Sequence, residues 1–524
     1  MKSQKAKSSL FWVKILAIMI LLTFTYCDDN YLNEPTEPNL TTLTDENEIQ
    51  LNDFINQINL DSEIFIVSNE NSIQQAIDLS SSGDAIFIEP GIYTESLKLT
   101  KENISLIALG STDEKVILEN SELTIHTLQS NQLKQASPYI TMNRENLGNN
   151  IAHYTFDVRV GNGEFDLIRI HRLVSEKHPF RPVKTTGDIF MIHGAIQDFD
   201  DIFLTAGADV INSETSAPYY LATNKIDVWG IDLAWTKVPI ETTDFAFMEG
   251  WGVEKDINHT KLAMKIARLI RGFSGQGFSK MNLLGFSYGV HVAYGSAALE
   301  TQMHPIAKDI KGLIPVDSQL KSNDPSIIES KCEAANYQMN LINEGEFHNP
   351  WGVGLIGLAE LALNAPNDAS PVPDFAGLTN LQVMNAIGSD RSAGWHFLGG
   401  TPFELYYSDP YRFVSLCVGL SAHMPRQMFY EMAATSCPSL DVSYDDHLGD
   451  IEIPIFYISA EGGVGGGDDY TASLTQSNDL SHLNVIDETR ETEVNIGHAD
   501  LWMGYDSKDL MWEKLHAWLI THKN

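Results

Sequence analysis

A serine with glycines two residues to either side, Gly285-Phe286-Ser287-Tyr288-Gly289, closes an apolar run and opens a stretch of small residues, VHVAYGSAALE. A sharp turn from strand to helix needs such glycines, because side chains there would collide where the two elements cross. A serine held out on such a turn can act as a nucleophile if a base takes its proton. Of the 16 histidines, His498 in VNIGHADLW is the expected base, since it lies just past a late strand and ahead of an apolar helix. The oxyanion formed on a carbonyl carbon needs backbone N–H donors already aimed at it. Tyr288, next to the serine, is expected to supply one, and Ala195, in the turn after IFMIHGA, the other. His193 is expected to order that turn rather than to take part in the chemistry. The third member is a carboxylate to orient the imidazole. Asp317 at the end of GLIPVD is preferred, with Asp468, Asp469, Glu461 and Asp479 as alternatives in or after the glycine-rich ISAEGGVGGGDDYTAS. The preference is mechanical: an orienting carboxylate needs a rigid support, and a run of glycines offers little.

These residues need a frame. GDIFMI, KIDVWGIDL, MNLLGF, KGLIPV and IPIFYIS are apolar throughout, as strands of a parallel sheet covered on both faces must be. KLAMKIARLIRGF (261–273) has apolar residues at helical spacing, and YTFDVRVGNGEFDLIRIHRLV reads as a hairpin turning at Asn162-Gly163. The alternation predicts an α/β fold, a doubly wound and mostly parallel sheet with ligands at its carboxyl edge. An insertion at about 320–448, with Trp351, Phe375, Trp395, Phe397, Phe403, Tyr406, Tyr407 and Tyr411, is expected to form a cap. Most of these aromatics are expected to form the cap's own core.

The chain has 524 residues, enough for two or more units, and 43% of them are hydrophobic. Its net charge of −36 disfavours nucleic acid as a partner, because a phosphate-binding surface must be locally basic. Lys2, Lys5 and Lys7 precede the apolar ILAIMILLTFTY, which reads as an export signal over 1–27. With Cys27 and the polar segment 28–62, the order resembles a bacterial lipoprotein, although Tyr26 replaces the usual small residue before the cysteine. The resemblance implies a lipid-bearing Cys27 as membrane tether and an exported, cell-envelope or secreted location. Of the other cysteines, Cys332, Cys417 and Cys437, three buried thiols are expected, with a Cys417–Cys437 bridge as the alternative. Nothing has the local spacing of a zinc site. Residues 63–128 read as a short all-β segment. S-I-Q-Q-A-I at 72–77, GDAIFIEPGIY at 83–93 and the E-S-L-K-L that follows resemble the opening turns of a right-handed parallel β-helix of the pectin-lyase type. About 60 matching residues are too few to carry that fold's carbohydrate chemistry, and a docking or vestigial module is expected.

Residues 150–524 resemble an α/β-hydrolase, and within it the capped lipases and esterases of the acid-lipase type. The matching pieces are MIHGA, IDVWGIDL, LLGFSYG and the terminal GHADLW, in the order that fold requires. The resemblance implies a serine hydrolase acting on a small-molecule or lipid ester, with Ser287, Asp317 and His498 as its triad and without cofactor or metal. Alternatives are a carbohydrate acetyl esterase or serine peptidase with the same triad, or a catalytically inactive surface-binding protein.

Overall fold

The computed structural model describes residue 55 and residues 63–68, 71–95, 97–98, 104–108, 116–118, 140–465 and 470–523. The export signal, Cys27, most of the expected tether, Asp468 and Asp469 lie outside them. Ile55, within the expected tether, is buried against the main body.

The apolar segments assemble into one sheet. Its nine main strands in chain order are β1 (Ile140–Asn146), β2 (Ile151–Arg159), β3 (Leu167–His178), β4 (Gly187–Ile192), β5 (Ile226–Asp232), β6 (Met281–Phe286), β7 (Ile310–Val316), β8 (Ile455–Ala460) and β9 (Leu480–Val485), and the short Arg181–Pro182 pairs with β3. Across the sheet the order is β1-β2-β3-β5-β4-β6-β7-β8-β9. Pairing is antiparallel from β1 to β5 and parallel from β5 to β9. The expected hairpin is β2–β3, with Arg159 opposite Leu167. The sheet begins at residue 140, ten residues before the expected boundary, because β1 is a half-exposed edge strand whose apolar pattern is weak.

Alternate residues of each central strand feed opposite cores. In β4, Ile189 and Met191 face one core while Phe190 and Ile192 face the other. Helices α1 (Ala217–Thr223), α2 (Val253–Phe273) and α3 (Tyr288–Thr301) cover the faces and complete the doubly wound arrangement. Between β7 and β8 the cap carries α4 (Pro325–Asn343), α5 (Trp351–Asn364), α6 (Asn380–Gly388), α7 (Pro410–Val418) and α8 (Arg426–Ala434). Local chemistry starts these helices: the Asp324 side chain accepts from the N–H groups of Ser326 and Ile327, and Thr379 and Gln382 form a capping box.

The cysteines correct both sequence expectations. Cys332 on α4 and Cys437, just past α8, form a disulfide, and Cys417 is a buried free thiol. α4 and α8 lie side by side, which brings together residues 105 positions apart with a Cα separation of 5.0 Å.

The N-terminal segment forms a parallel sheet of Ile64–Val67, Ala85–Ile88 and Ser105–Ala108, and a parallel pair of Gly91–Tyr93 with Val116–Leu118. It docks on the main body: Ile64, Ile66, Ala85 and Phe87 pack with Leu269 and Phe278, and a second cluster takes in Ile306 and Ala307. Among the described residues no helix is long and apolar enough to cross a membrane.

Candidate active site

β4 has β5 on one side and β6 on the other, so the strand order reverses there, and ligands of such sheets bind beyond the carboxyl ends of the strands at that reversal. Ser287 follows β6 immediately, at φ 55° and ψ −117°, a conformation that a residue other than glycine adopts only at a cost of about 1–3 kcal/mol. The packing around it explains the two glycines. A Cβ on Gly285 would lie 2.1 Å from the Gly289 carbonyl oxygen, and one on Gly289 would lie 2.4 Å from that of Ile192. The Ser287 N–H donates to the Val316 carbonyl at 3.0 Å, which ties the turn to the end of β7.

Asp317 occupies the equivalent place one strand over. Phe286 pairs with Val316 and Val316 with Ile458, so Ser287 and Asp317 each step off the same edge of adjacent strands. Asp317 also has positive φ (50°), and its side chain is fully buried. Its Oδ2 lies 2.6 Å from His498 Nδ1. Three backbone donors hold the carboxylate: Ala460 N–H at 2.9 Å and Gly465 N–H at 3.0 Å to Oδ1, and Val464 N–H at 3.1 Å to Oδ2. The described part of the glycine-rich loop, residues 461–465, is therefore not the slack connection its composition suggested. It closes on Asp317, and a Cβ on Gly463 would sit 2.1 Å from Oδ2.

The other carboxylate candidates that the structure describes are engaged elsewhere. Glu461 accepts from Asn484 and Thr492, and Asp479 from His522.

His498 is nearly buried, at 3% exposure. Its ring stacks on Phe286 with centroids 4.4 Å apart, and Trp395 and Phe397 of the cap close around it at 5.5 and 6.0 Å. Those two aromatics thus do more than fill the cap's own core. The His498 loop is fixed to the cap through Asp500, whose Oδ2 accepts from the Gly399 N–H at 2.6 Å and the Gly497 N–H at 2.8 Å. Burial raises the Asp500 carboxyl to about 6.

The turn expected to hold Ala195 lies against the serine. Ile192 of β4 is level with Gly285, and a Cβ on Gly194 would be 3.0 Å from Ser287 Cβ. His193 is fully buried and orders the turn: its Nε2 accepts from Leu233 N–H at 3.2 Å, so Nδ1 carries the proton that meets the Gly194 carbonyl at 2.8 Å. Burial pushes its pKa down to about 4, consistent with that neutral tautomer. Ala195 precedes Ile196, which has φ 60°, and the cap residue Ser421 donates to the Ile196 carbonyl at 2.8 Å. Tyr288 begins α3, and its hydroxyl reaches Asp256 at 2.5 Å.

The clamp on Asp317 was missed from sequence, though its signal was present: glycines let a backbone approach a carboxylate closely enough to offer it N–H groups. Trp395 and Phe397 were expected as cap aromatics with no place at the site, and Asp500, two residues past His498, left no signal of its role in the sequence.

No family model matches this chain, and no curated protein matches it. Solved structures do. A protein from Sulfolobus solfataricus assigned as a lipase is 16% identical, covering 74% of this chain and 98% of its own, with a TM-score of 0.48. A soluble variant of a monoglyceride lipase from Saccharomyces cerevisiae is 12% identical, covering 75% and 98%, with a TM-score of 0.35. A thermophilic esterase from Thermogutta terrifontis is 12% identical, covering 71% and 99%, with a TM-score of 0.32. The fold is read from the sheet itself rather than from these likenesses. A mostly parallel, doubly wound sheet whose central strand ends in a strained serine turn leading straight into a helix is the α/β-hydrolase fold, and this chain has it.

Proposed function

We propose that this chain is an exported serine hydrolase that cleaves carboxylic esters through an acyl-enzyme. The observation that carries the proposal is the buried Asp317–His498 pair, its imidazole stacked on Phe286, the residue before a serine in a strained turn at the sheet's carboxyl edge. With Nδ1–H of His498 donating to Asp317, Nε2 is the basic nitrogen. It takes the Ser287 proton as Oγ attacks the ester carbonyl. The N–H groups of Ala195 and Tyr288 receive the developing oxyanion. Collapse of the tetrahedral intermediate breaks the bond to the alcohol, which leaves with the proton from His498. Water then repeats the sequence on the acyl-enzyme and releases the acid. Trp395 and Phe397, both part-exposed beside His498, favour an apolar substituent on the ester.

By composition the glycine-rich loop would leave the acid unsupported, which would suit an inactive binding protein, but Val464 and Gly465 within it hold Asp317 instead. The Cys332–Cys437 disulfide supports an oxidising compartment and hence export, and lipid attachment at Cys27 belongs to the same proposal. Hydrolysis of nitrophenyl esters of increasing chain length, set against acetylated glycans and peptides, tests the reading. Ser287→Ala is expected to lower ester turnover by about 10⁴-fold or more. Activity within about tenfold of wild type would exclude the mechanism.

A further inference from the structure

A second cluster of reactive side chains lies behind the turn that carries Ala195 and shares no residue with the site above. His153 on β2 and His171 on β3 project from the same face of the sheet, their rings stacked with centroids 5.3 Å apart. His153 Nε2 is 3.0 Å from His171 Nδ1. Asp200, in the segment that follows the turn, brings Oδ1 to 3.6 Å from His171 Nδ1 and 3.9 Å from His153 Nε2. Both separations exceed a hydrogen bond, and this oxygen is buried without a hydrogen-bond partner. We propose that His153, His171 and Asp200 bind a divalent transition-metal ion, zinc by their donor chemistry.

Geometry and surroundings support a metal over a hydrogen-bonded cluster. Zinc bonds of about 2.0–2.1 Å place tetrahedral ligand atoms about 3.3 Å apart. The observed triangle, with edges of 3.0, 3.6 and 3.9 Å, brackets that value. The far nitrogen of His171, Nε2, lies 3.0 Å from Asp232 Oδ2, at ion-pair distance though without the alignment of a hydrogen bond. A carboxylate behind the second ring nitrogen is what a metal-bound histidine uses to present its other lone pair. Asp232 is held in turn by Lys237 Nζ at 2.5 Å and by the Phe199 N–H at 2.8 Å. Without a metal, one imidazole must donate to the other and Asp200 Oδ1 stays unpartnered. A cation satisfies all three lone pairs together. It also offsets local charge, since Asp198, Asp200, Asp201 and Asp232 crowd the site against Lys237, while Arg169 is engaged by Asp157.

The ion would pin the segment after the turn to β2 and β3, with the Phe199 ring already stacked on His171 at 4.5 Å. Its role there is structural.

Untagged full-length protein, stripped with chelator and then dialysed against zinc, tests this by elemental analysis and thermal melting. Wild type should hold about one zinc per chain and melt higher with zinc than without. His153→Gln and Asp200→Asn should each hold less than about a tenth of that amount and lose the zinc-dependent shift, while melting like the stripped wild type. Cobalt substitution provides a check that needs no variant, since four-coordinate Co²⁺ gives visible d–d absorption. Wild type that retains no stoichiometric zinc and shows no shift would overturn the proposal. So would variants that bind zinc as wild type does.

Discussion

Replacing Gly463 by alanine would test whether the glycine loop holds the acid in place. The added Cβ would lie 2.1 Å from Asp317 Oδ2, where ordinary contact begins at 3.4 Å, so loop and carboxylate must separate by about 1.3 Å. The oxygen that would be pushed is the one 2.6 Å from His498 Nδ1, and a displacement of that size ends the hydrogen bond. Misplacing a catalytic group by about 1 Å can cost about 10²-fold in rate, or about 2.7 kcal/mol of barrier. The expected outcome in a nitrophenyl ester assay is a fall in kcat of about 10²-fold with KM nearly unchanged. Gly449→Ala is the control, because the nearest atom to a Cβ there is at 3.8 Å. A Gly463→Ala protein that is folded by circular dichroism and within about threefold of the control in kcat would refute the clamp.

Asp317→Asn should lower kcat by about 10²- to 10⁴-fold, because an amide NH₂ turned towards His498 would make Nδ1 an acceptor and leave Nε2 protonated. Turned the other way it would face the N–H groups of Ala460 and Gly465, so the variant should also melt lower. Asp468→Asn, measured in parallel, should be near normal. Reducing the Cys332–Cys437 bridge, or replacing both cysteines by serine, should cost up to about 4–5 kcal/mol in urea unfolding, the chain-entropy value for a loop of about 100 residues. Burial raises the Asp256 carboxyl to about 7, well above its unfolded value near 3.8. Its contribution to stability is therefore complete below about pH 3.8 and is lost as pH rises towards 7, at up to about 1.4 kcal/mol per unit. Asp256→Asn keeps an oxygen for Tyr288 and Trp235, so its stability relative to wild type should grow between pH 4 and 7 and then level off. A constant difference across that range would contradict the raised pKa.

Much of the frame was legible because parallel strands must be apolar along their whole length. MNLLGF, KGLIPV and IPIFYIS each read as strands, and those strands are buried almost throughout. Ser287 was legible for a related reason, since close approach of strand and helix demands two glycines at fixed spacing. Asp317 was chosen from the end of a rigid strand, and the structure places its Oδ2 2.6 Å from His498 Nδ1. What failed depends on tertiary alignment. The partner of Cys437 is set by α4 lying beside α8, and proximity in sequence pointed instead to Cys417. β1 escaped because an exposed edge strand buries too little to leave a clear alternation. The His153, His171 and Asp200 cluster could not be found by a search for local ligand spacing, since its members come from two strands and the segment beyond a third. The glycine loop was misread for a different reason: composition reports the freedom of a segment in isolation, and the N–H bonds from Val464 and Gly465 to a buried carboxylate hold its described part in place.

The central claim is that Ser287 is a nucleophile activated by His498, and trapping it covalently tests that most directly. A fluorophosphonate probe incubated with the folded protein, followed by intact mass and peptide mapping, reads the reacting residue without any assumption about the natural substrate. The account predicts a single adduct on the peptide containing Ser287, absent from Ser287→Ala and strongly slowed in His498→Ala. An unlabelled protein, an adduct on another residue, or labelling of Ser287 at the same rate without His498 would contradict it.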